Sequence, residues 1–419
     1  MESNSRRKFL RSATGLIATG LVTRAAIGNT IPVEIKPAAS SETSYPRAGQ
    51  ENELIYRPLG RTGIKLPLVS MGVMNSSNPN LLKVAWQSGI RHFDTAWEYQ
   101  GGNNEKMIGK IIKDLKISRK DVIITTKIAI EPNLNKPQLG AERKKQFFTR
   151  FAQSLERLQM DYVDILMLHD VNTMDQVHDP AIMEAMQLLK DQGKIRFPAF
   201  STHVYWSDLL TAAVDKGFYE VVLVSLNYSM AHDDKSYKAM QYAASKGIGL
   251  IAMKTQCQQD WYKENLPAEA QKYYEGSIMH SALLKWVLHH DMITTAIPGF
   301  TTFEQLQTDM LVAHGIEYKA DEKKFLEDHN IQLAIQSVCR FCGGCQGSCP
   351  HGADIPALMR THMYASAYGN IHMTHQTLSE IPAGRGLDVC ESCGECIAQC
   401  RNRVKIGQRV EELKVMMAV

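Results

Sequence analysis

Cysteine is nearly absent from the first 337 residues of this 419-residue chain, where Cys257 stands alone and the other eight cysteines all follow residue 338. We interpret Cys257 as structural or incidental. An excess of one charge is also missing, because 47 basic residues nearly balance 44 acidic ones and leave a formal net charge of +3. Composition therefore gives no indication of a nucleic-acid-binding surface or of a polybasic membrane anchor.

The apolar run at the amino end, residues 13–26, is too short to span a bilayer as a helix. It follows the pair Arg6 and Arg7, and small residues at 25–28 offer a cleavage site. The segment resembles a twin-arginine (Tat) export signal, which predicts that residues 1–28 are removed and that the protein is periplasmic. No cysteine follows the run, so we expect no membrane attachment after processing. The alternative is a basic tail on a surface helix.

Residues 29–53 are rich in Ser, Pro and Glu without hydrophobic periodicity, which predicts a linker. From residue 54 to 315, strand patterns alternate with helix patterns, which favours parallel βα units. Residues 57–66 predict a hairpin with a Gly-bearing turn. The eight predicted strands cover residues 68–71, 91–94, 123–127, 163–169, 195–200, 221–225, 249–253 and 294–298. The predicted fold class is α/β, a (β/α)8 TIM barrel followed by a small, mostly helical iron-sulfur domain over residues 316–419.

Polar residues lie at the carboxyl ends of three predicted strands. Asp94 ends the second strand, Tyr99 follows five residues later, and Lys127 and His169 end the third and fourth strands. In a parallel barrel these ends converge on the face where such folds have their active sites. A phenol has an ordinary pKa of about 10, so we expect Lys127 to lower the pKa of Tyr99 and Asp94 to keep Lys127 charged. A neutral His169 could donate a hydrogen bond to a carbonyl that Tyr99 protonates.

This set of residues, in this order, resembles the aldo-keto reductase family. The resemblance covers about residues 56–314, and its motifs are Asp94-Thr95-Ala96 with Tyr99 and Glu105, and the segments 154–158 (SLERL), 161–164 (DYVD) and 193–196 (GKIR). It implies that Asp94, Tyr99, Lys127 and His169 catalyse NADPH-dependent carbonyl reduction on an eight-stranded barrel. Any one of these residues alone is more typical of a scaffold position, but the four together favour an enzyme.

The resemblance also implies where NADP(H) or NAD(H) would bind. Ser201 and Thr202 match positions that hold the nicotinamide amide, and Ser225 lies where many members have Gln. Met253 lies where some members stack a Tyr on the nicotinamide, and its thioether could pack against that ring. Core packing explains Met253 equally well.

The next part of the resemblance concerns the adenosine end of the nucleotide. The matching residues are Gly299, Thr301, Gln305 and Asp309. Backbone donors at the start of the helix that follows could bind a phosphate. No Arg follows Gly299, which leaves the choice between NADP and NAD open, and we expect Lys254 to replace that Arg in part.

The carboxy-terminal cysteines form two copies of one spacing, namely Cys339, Cys342, Cys345 and Cys349, then Cys390, Cys393, Cys396 and Cys400. Three thiolates separated by two residues each can surround one 4Fe-4S cube, and the fourth often comes from the other motif. The pattern resembles the two-cluster bacterial ferredoxins, including Pro350, although Arg401 replaces the second Pro. It implies two 4Fe-4S clusters. Zinc is the alternative metal, whereas the tandem spacing argues against disulfides.

The sequence leaves three classes of function open. The leading one is a reductase that transfers hydride between a nicotinamide cofactor and a small carbonyl or alcohol substrate, with clusters that are either redox-active or structural. The second is an electron-transfer protein whose clusters exchange single electrons with a partner. The third is a non-catalytic barrel that binds a sugar or a steroid. The substrate, the direction of the reaction and the oligomeric state are not determined by these patterns.

Overall fold

The computed structural model describes residues 53–130, 139–231, 233–256, 278–336, 338–390, 393 and 395–417. The predicted export signal, and the predicted linker up to residue 52, lie outside these ranges. Within them, no helix is long and apolar enough to cross a membrane.

The order of elements follows the alternation that the sequence predicts. The strands are β1 (Tyr56–Pro58), β2 (Lys65–Pro67), β3 (Met71–Gly72), β4 (His92–Asp94), β5 (Ile123–Ile128), β6 (Val163–Leu168), β7 (Ile195–Thr202), β8 (Val221–Ser225), β9 (Gly249–Met253) and β10 (Ile293–Ala296). The helices of the barrel region, of which the last follows β10, are α1 (Pro79–Gln87), α2 (Asn103–Asp114), α3 (Gly140–Leu158), α4 (Met174–Val177), α5 (Pro180–Asp191), α6 (Trp206–Lys216), α7 (Asp234–Ser245), α8 (Ile278–Leu288) and α9 (Phe303–His314). Those that follow are α10 (Ala320–Glu327), α11 (His329–Gln336), α12 (Ile355–Ser366), α13 (Ile371–Glu380) and α14 (Ile406–Met417).

Strands β3 to β10 form one parallel sheet in which each strand pairs with the next along the chain. The first and last strands meet where Val69 bridges Ala296, and Ala296 donates its N–H to the Leu68 carbonyl at 2.9 Å. These strands are buried along nearly their whole length, as expected where helices cover the outer face and side chains fill the interior. The predicted (β/α)8 barrel is therefore confirmed.

The predicted hairpin is also present, as the antiparallel pair β1 and β2. Its residues Leu59 and Leu66 are fully buried and pack with Val221 and Ile251 inside the barrel. The turn needs Gly60, because its φ is +51° and a Cβ there would lie 2.4 Å from the Gly247 carbonyl oxygen. The hairpin thus closes one end of the barrel and leaves the other end for function.

The chain beyond the barrel is mostly helical and forms two groups of helices. α10 and α11 pack against α8 through Phe325 and Ile331. α12 and α14 pack with the cysteine-bearing loops around Leu358 and Val410. A further apolar cluster joins Tyr364 of α12 to barrel residues that follow β4. Helix α12 therefore lies over the carboxyl ends of the barrel strands.

Candidate active site

Four side chains converge at the carboxyl ends of neighbouring barrel strands. Asp94 ends β4, Lys127 lies in β5, His169 follows β6, and a short 3-10 turn after β4 places Tyr99. Lys127 Nζ donates to Asp94 Oδ1, to the Thr95 carbonyl at 2.7 Å and to the Tyr99 hydroxyl at 3.5 Å. The rings of Tyr99 and His169 meet edge to face, with centroids 5.8 Å apart. The structure thus brings the four predicted residues together.

The pKa of Tyr99 differs from the prediction. Burial raises the pKa of this phenol well above its ordinary value, and the Asp94 carboxylate raises it further. The predicted lowering of this pKa is therefore wrong for this structure, because burial outweighs the effect of the Lys127 ammonium. Burial likewise raises the pKa of Asp94, although Lys127 acts in the opposite direction. Tyr99 therefore stays a neutral phenol that can donate its proton.

Glu98 is a further charged residue of this site, and sequence reasoning missed it. Its Oε1 is hydrogen-bonded to Nδ1 of His169, and both side chains are buried. Burial acts to raise the pKa of Glu98, but the charge and hydrogen bond of His169 outweigh it, so this pKa is lowered overall. The only signal for Glu98 in the sequence was its position next to Tyr99. No sequence pattern indicated its contact with His169, which lies 71 positions later.

A cavity of about 620 Å³ begins at Asp94 and Tyr99 and runs along the barrel mouth. Its floor is formed by apolar side chains of the strand ends, including Leu223, Met253 and Ile297. Its roof comes from outside the barrel and includes Tyr364 and Tyr368. The volume lies within the range of about 300–1,000 Å³ that is typical of small-molecule and cofactor sites.

The barrel sequence matches a known family over its most characteristic part. A model of the "Aldo/keto reductase family" matches residues 70–258, which include all four convergent side chains. L-galactose dehydrogenase from Arabidopsis thaliana is 28% identical over 303 residues, covering 65% of this chain and 92% of that protein. Aldo-keto reductase AFTS1 from Alternaria alternata is 23% identical over 348 residues, covering 67% and 93%.

Residues 70–258 of the chain belong to the aldo/keto reductase family. The protein is an NAD(P)H-dependent oxidoreductase of that type. Among solved structures, the thermostable aldo-keto reductase Tm1743 is 25% identical with a TM-score of 0.50, covering 65% of this chain and 99% of its own. Aldo-keto reductase AKR11C1 from Bacillus halodurans has a TM-score of 0.53 at 19% identity and covers 67% of this chain and 100% of its own, which shows the fold alone.

The residues predicted to bind the nucleotide of this aldo/keto reductase fall into two groups. Six of them line the cavity, namely Met253, Lys254, Gly299, Thr301, Gln305 and Asp309. The other three, Ser201, Thr202 and Ser225, are absent from its lining. Their hydroxyls bond inside the protein instead: Ser201 accepts from the Asp170 N–H at 3.1 Å, Thr202 donates to the Val204 carbonyl at 3.2 Å, and Ser225 pairs with His203 Nδ1 at 3.2 Å. These three hydroxyls thus already have partners inside the protein, and their predicted contacts with a nicotinamide stay a prediction.

The end of the cavity near α9 is polar, and its lining includes the carboxyl groups of Glu304 and Asp309. Burial raises the pKa of Asp309 to about 8, and Gln256 donates to its Oδ1 at 2.7 Å. Gln305 Oε1 accepts from the N–H groups of Thr301 at 2.7 Å and Thr302 at 3.2 Å, which forms a capping box. The predicted phosphate site at this helix start would therefore have to displace the Gln305 side chain. A protonated Asp309 would not repel an anionic nucleotide.

Lys254 faces the roof of the cavity. Its ammonium lies 3.4 Å from the Tyr364 hydroxyl and 4.8 Å from the centre of that ring. Burial, and next the nearby Arg360, lower the pKa of Lys254 to about 7. Tyr364 packs in the same cluster as Tyr99. Lys254 thus lies close to the catalytic end, and the structure gives no support to its predicted role in place of the missing Arg.

The carboxy-terminal helices complete the active site, which sequence reasoning also missed. Arg360 of α12 forms an ion pair with Asp170 at 2.5 Å, and both side chains are largely buried. Asp170 directly follows His169 and has a φ of +58°, a conformation uncommon outside glycine. Tyr205 of the barrel donates to the Gly343 carbonyl at 3.2 Å, within the first cysteine motif. The segment that contains the cysteines is therefore bonded to the loop next to His169.

The first group of thiols combines residues of both cysteine motifs. Burial raises the pKa of Cys345 to about 11, and the neighbouring Cys400 and Cys342 thiols raise it further. Asn402 joins the same two neighbours, because its N–H lies 3.3 Å from Cys400 Sγ and its Nδ2 lies 3.6 Å from Cys342 Sγ. Burial raises the pKa of Cys339 to about 12, with Cys345 and Cys400 acting in the same direction. Cys400 of the second motif is thus near three thiols of the first.

The second group of thiols shows the reciprocal arrangement. Burial raises the pKa of Cys390, and the neighbours that raise it further are Cys349, Cys393 and Cys396. Lys414 of α14 opposes this shift and donates to the Cys390 carbonyl at 3.0 Å. Among the described residues, no three His, Cys, Asp or Glu side chains are grouped as the ligands of a metal ion would be.

Proposed function

We propose that this enzyme interconverts a small carbonyl compound and its alcohol in the 620 Å³ cavity, using NADP(H) or NAD(H). The observation that supports this most is the convergence of Asp94, Tyr99, Lys127 and His169 at one end of that cavity. When bound, the nicotinamide would supply or accept the hydride. A barrel that only binds a sugar or a steroid would not need a buried ammonium beside a phenol, so that alternative is weaker.

The side chains of the site would handle the proton and the developing negative charge. Tyr99 is a neutral donor, so it can protonate the substrate oxygen as negative charge builds up there. Lys127, 3.5 Å from the Tyr99 hydroxyl, would stabilise the phenolate that results. Asp94 keeps the Lys127 ammonium in place. In alcohol oxidation the same groups would act in reverse.

The cavity fits a nucleotide better at some positions than at others. Met253 lines its floor, where a thioether can pack on an aromatic ring. Asp309 and Thr301 line the far end, where the adenosine moiety would lie. No basic residue lies among residues 300–309, directly after Gly299, so we propose no preference between NADP(H) and NAD(H).

We further propose that the carboxy-terminal segment binds two 4Fe-4S clusters. Cys339, Cys342, Cys345 and Cys400 would hold one, and Cys390, Cys393, Cys396 and Cys349 the other. The exchange of the fourth thiol between the motifs supports clusters, because it is the arrangement of two-cluster ferredoxins. The ligands of a cube bind four different irons, whereas zinc needs its four sulfurs at about 2.3 Å from one ion. The clusters would be structural, or would exchange single electrons with a partner protein.

The experiment that tests the enzymatic function is native mass spectrometry of anaerobically purified protein, followed by an assay. We expect the spectra to show a retained nicotinamide nucleotide and the mass of the clusters. We expect the same sample to oxidise added NADPH or NADH when aldehydes or ketones are supplied. Failure to bind either nucleotide, measured by calorimetry, would contradict the proposal.

We also propose that the protein is exported in folded form, with its clusters inserted in the cytoplasm. The motivation is the pair Arg6 and Arg7 ahead of the apolar run at 13–26. Replacing both Arg6 and Arg7 by Lys should leave the uncleaved precursor inside the cell. Cell fractionation and the mass of the protein check this. The charge-matched control is the variant Lys65→Arg/Arg119→Lys. Mature Arg6→Lys/Arg7→Lys protein outside the cytoplasm would show that the segment is not a twin-arginine signal.

A further inference from the structure

The cationic side chains at the catalytic end of the 620 Å³ cavity differ in whether an opposite charge lies beside them. Lys127 pairs with Asp94, and Arg360 pairs with Asp170. Lys254 lines the same cavity, but it forms no ion pair with a carboxylate of the described residues. An enclosed ammonium without a counter-charge is costly. Within the described part of the chain, the positive charge of Lys254 is therefore left uncompensated.

The backbone directs the Lys254 side chain away from the floor of the cavity. Met253 ends β9 and packs inside the barrel. Lys254 follows with a φ of +57°, a left-handed conformation that is strained in a residue other than glycine. Its ammonium faces the roof, 4.8 Å from the centre of the Tyr364 ring and 5.5 Å from that of Tyr368. A nicotinamide packed on Met253 would thus lie on the opposite side of the cavity from this ammonium.

The roof tyrosines surround the ammonium without neutralising it. The Tyr364 hydroxyl lies 3.4 Å from Lys254 Nζ, and burial raises the pKa of this phenol, so it stays uncharged. Aromatic rings attract a cation but carry no net charge. Burial, and next Arg360, lower the pKa of Lys254 to about 7. A bound carboxylate would supply the missing counter-charge and keep Lys254 protonated.

The position of the ammonium favours an anion of the substrate over an anion of the nucleotide. Tyr364, which contacts Lys254, packs in the same apolar cluster as Tyr99, the proposed proton donor. The charged groups that act on the Lys254 ammonium are those of the catalytic end, namely Arg360, Asp170 and Lys127. A substrate whose carbonyl oxygen meets Tyr99 would therefore extend under the roof toward Lys254.

We propose that Lys254, Tyr364 and Tyr368 form a subsite for a carboxylate of the substrate, so that the enzyme acts on small carbonyl acids and the corresponding hydroxy acids. This inference rests on the proposed carbonyl–alcohol activity and adds the class of substrate. Lys254 donates a charge-assisted hydrogen bond to one carboxylate oxygen. The Tyr364 hydroxyl, which accepts from Lys254, donates its own proton to the same carboxylate. The hydride and the proton still go to the carbonyl group beside Tyr99.

Two distant parts of the chain form this subsite. The barrel supplies Lys254, whereas the tyrosines belong to helix α12 and the residues just after it. The Arg360–Asp170 ion pair holds this roof at one side of the cavity. At another side, Asn370 Nδ2 donates to Asn75 Oδ1 at 2.7 Å. The cysteine-containing segment therefore determines which substrates the barrel accepts.

The first test compares carboxylates with uncharged partners of the same shape. The probes are succinic semialdehyde and 4-formylbenzoate, each with its primary amide, added to the anaerobically purified full chain. The wild type should prefer each carboxylate over its amide by at least about tenfold in kcat/KM, as expected for a hydrogen bond to a charged group. Equal use of carboxylate and amide by the wild type would already contradict the subsite.

The second part of this test replaces Lys254 by Met, which keeps the length of the side chain and removes its charge. The value of kcat/KM for the carboxylates should fall by about 10–100-fold, mainly through KM, while that for the amides changes by less than about threefold. Lys254→Arg should recover most of the loss. The matched control is Lys246→Met, which removes an exposed ammonium 5.9 Å from the centre of the Tyr242 ring. That variant should behave as the wild type with all four probes.

The third test requires no turnover. Benzoate, which has no carbonyl group to be reduced to an alcohol by hydride transfer here, should bind to the nucleotide-loaded wild type in a calorimetric titration. Its affinity should fall by about 10–100-fold in Lys254→Met and stay unchanged in Lys246→Met. Benzamide should bind equally to all three proteins. The affinity for NADPH and NADH should stay within about threefold in Lys254→Met, because the ammonium faces the roof and not the nicotinamide side.

The outcomes separate the subsite from the activity on which it rests. Equal losses for carboxylates and amides, or no loss for either, would overturn the subsite. A loss of nucleotide affinity as large as that of benzoate would assign the ammonium to the nucleotide phosphates and overturn it as well. If benzoate binding depends on Lys254 but no aldehyde is reduced, the proposed activity is wrong and the subsite stands. If the amides are reduced and the carboxylates do not respond to Lys254→Met, the activity stands without the subsite.

Discussion

Replacing Tyr99 by Phe should reduce carbonyl reduction by about 10²–10⁴-fold, the usual contribution of a positioned proton donor. The substitution removes one hydroxyl from a side chain that is 8% exposed and otherwise keeps its packing with Val204 and Tyr364. Nucleotide affinity should change by less than about twofold, because the hydroxyl contacts Lys127 and not the far end of the cavity. Steady-state kinetics and calorimetric titration of the nucleotide measure the two effects separately.

The matched control for this experiment is Tyr368→Phe, which removes a phenol from the roof of the same cavity. It should alter substrate affinity at most and keep the rate of the chemical step. Because burial raises the pKa of Tyr99, the rate of the wild type should show no loss at high pH that is due to this phenol. A rate of carbonyl reduction by Tyr99→Phe within about twofold of the wild-type rate would contradict the assignment of Tyr99 as the proton donor.

The strand ends could be predicted because they follow from local patterns. Buried apolar runs that end in a polar residue gave Asp94 and Lys127 at adjacent strand ends, and parallel topology alone then brings them together. The bounds of β8 and β9 agree with the prediction to the residue. β3 is shorter than predicted, since Val69 forms only an isolated bridge.

The contacts between distant segments could not be predicted in this way. Glu98 meets His169 between the loops that follow β4 and β6. Arg360 meets Asp170 across 190 positions because helix α12 docks on the barrel mouth. The hydrophobic periodicity of a segment predicts its secondary structure, but it does not predict which distant segment packs against it. The shift in the pKa of Tyr99 was missed for the same reason, since desolvation depends on the whole enclosure and outweighs the one charge that the sequence placed nearby.

The first cysteine motif packs against a residue of the cavity wall. This contact would matter whether the proposed clusters are structural or redox-active. Phe341 lies in the first cysteine motif, is fully buried, and has its ring centroid 6.4 Å from that of His203. His203 lines the substrate cavity. A cluster held by Cys339 and Cys342 would therefore be anchored directly behind the cavity wall. Loss of that cluster should loosen α12 and with it the Arg360–Asp170 ion pair.

Replacing Cys349 by Ser should damage mainly the cluster of the other motif. Cys349 is a neighbour of Cys390, whereas the thiol close to Cys342 and Cys345 is Cys400. In wild-type protein, iron analysis should give roughly eight irons per chain, and the anaerobically reduced sample should show two coupled spins by electron paramagnetic resonance. The variant should lose the cluster signal of the Cys390 group and keep that of the Cys339 group.

The mirror variant Cys400→Ser makes this prediction decisive, because it should remove the opposite signal. Its effect should include the loss of the Asn402 contact that joins Cys400 and Cys342. Cys257→Ser lies outside both motifs and serves as the control for the loss of any thiol. The barrel should remain folded in all three variants by far-ultraviolet circular dichroism, since its core contains none of these motif cysteines. If each motif instead lost its own cluster, the exchange of the fourth ligand would be refuted. Stoichiometric zinc in place of iron would refute the clusters themselves.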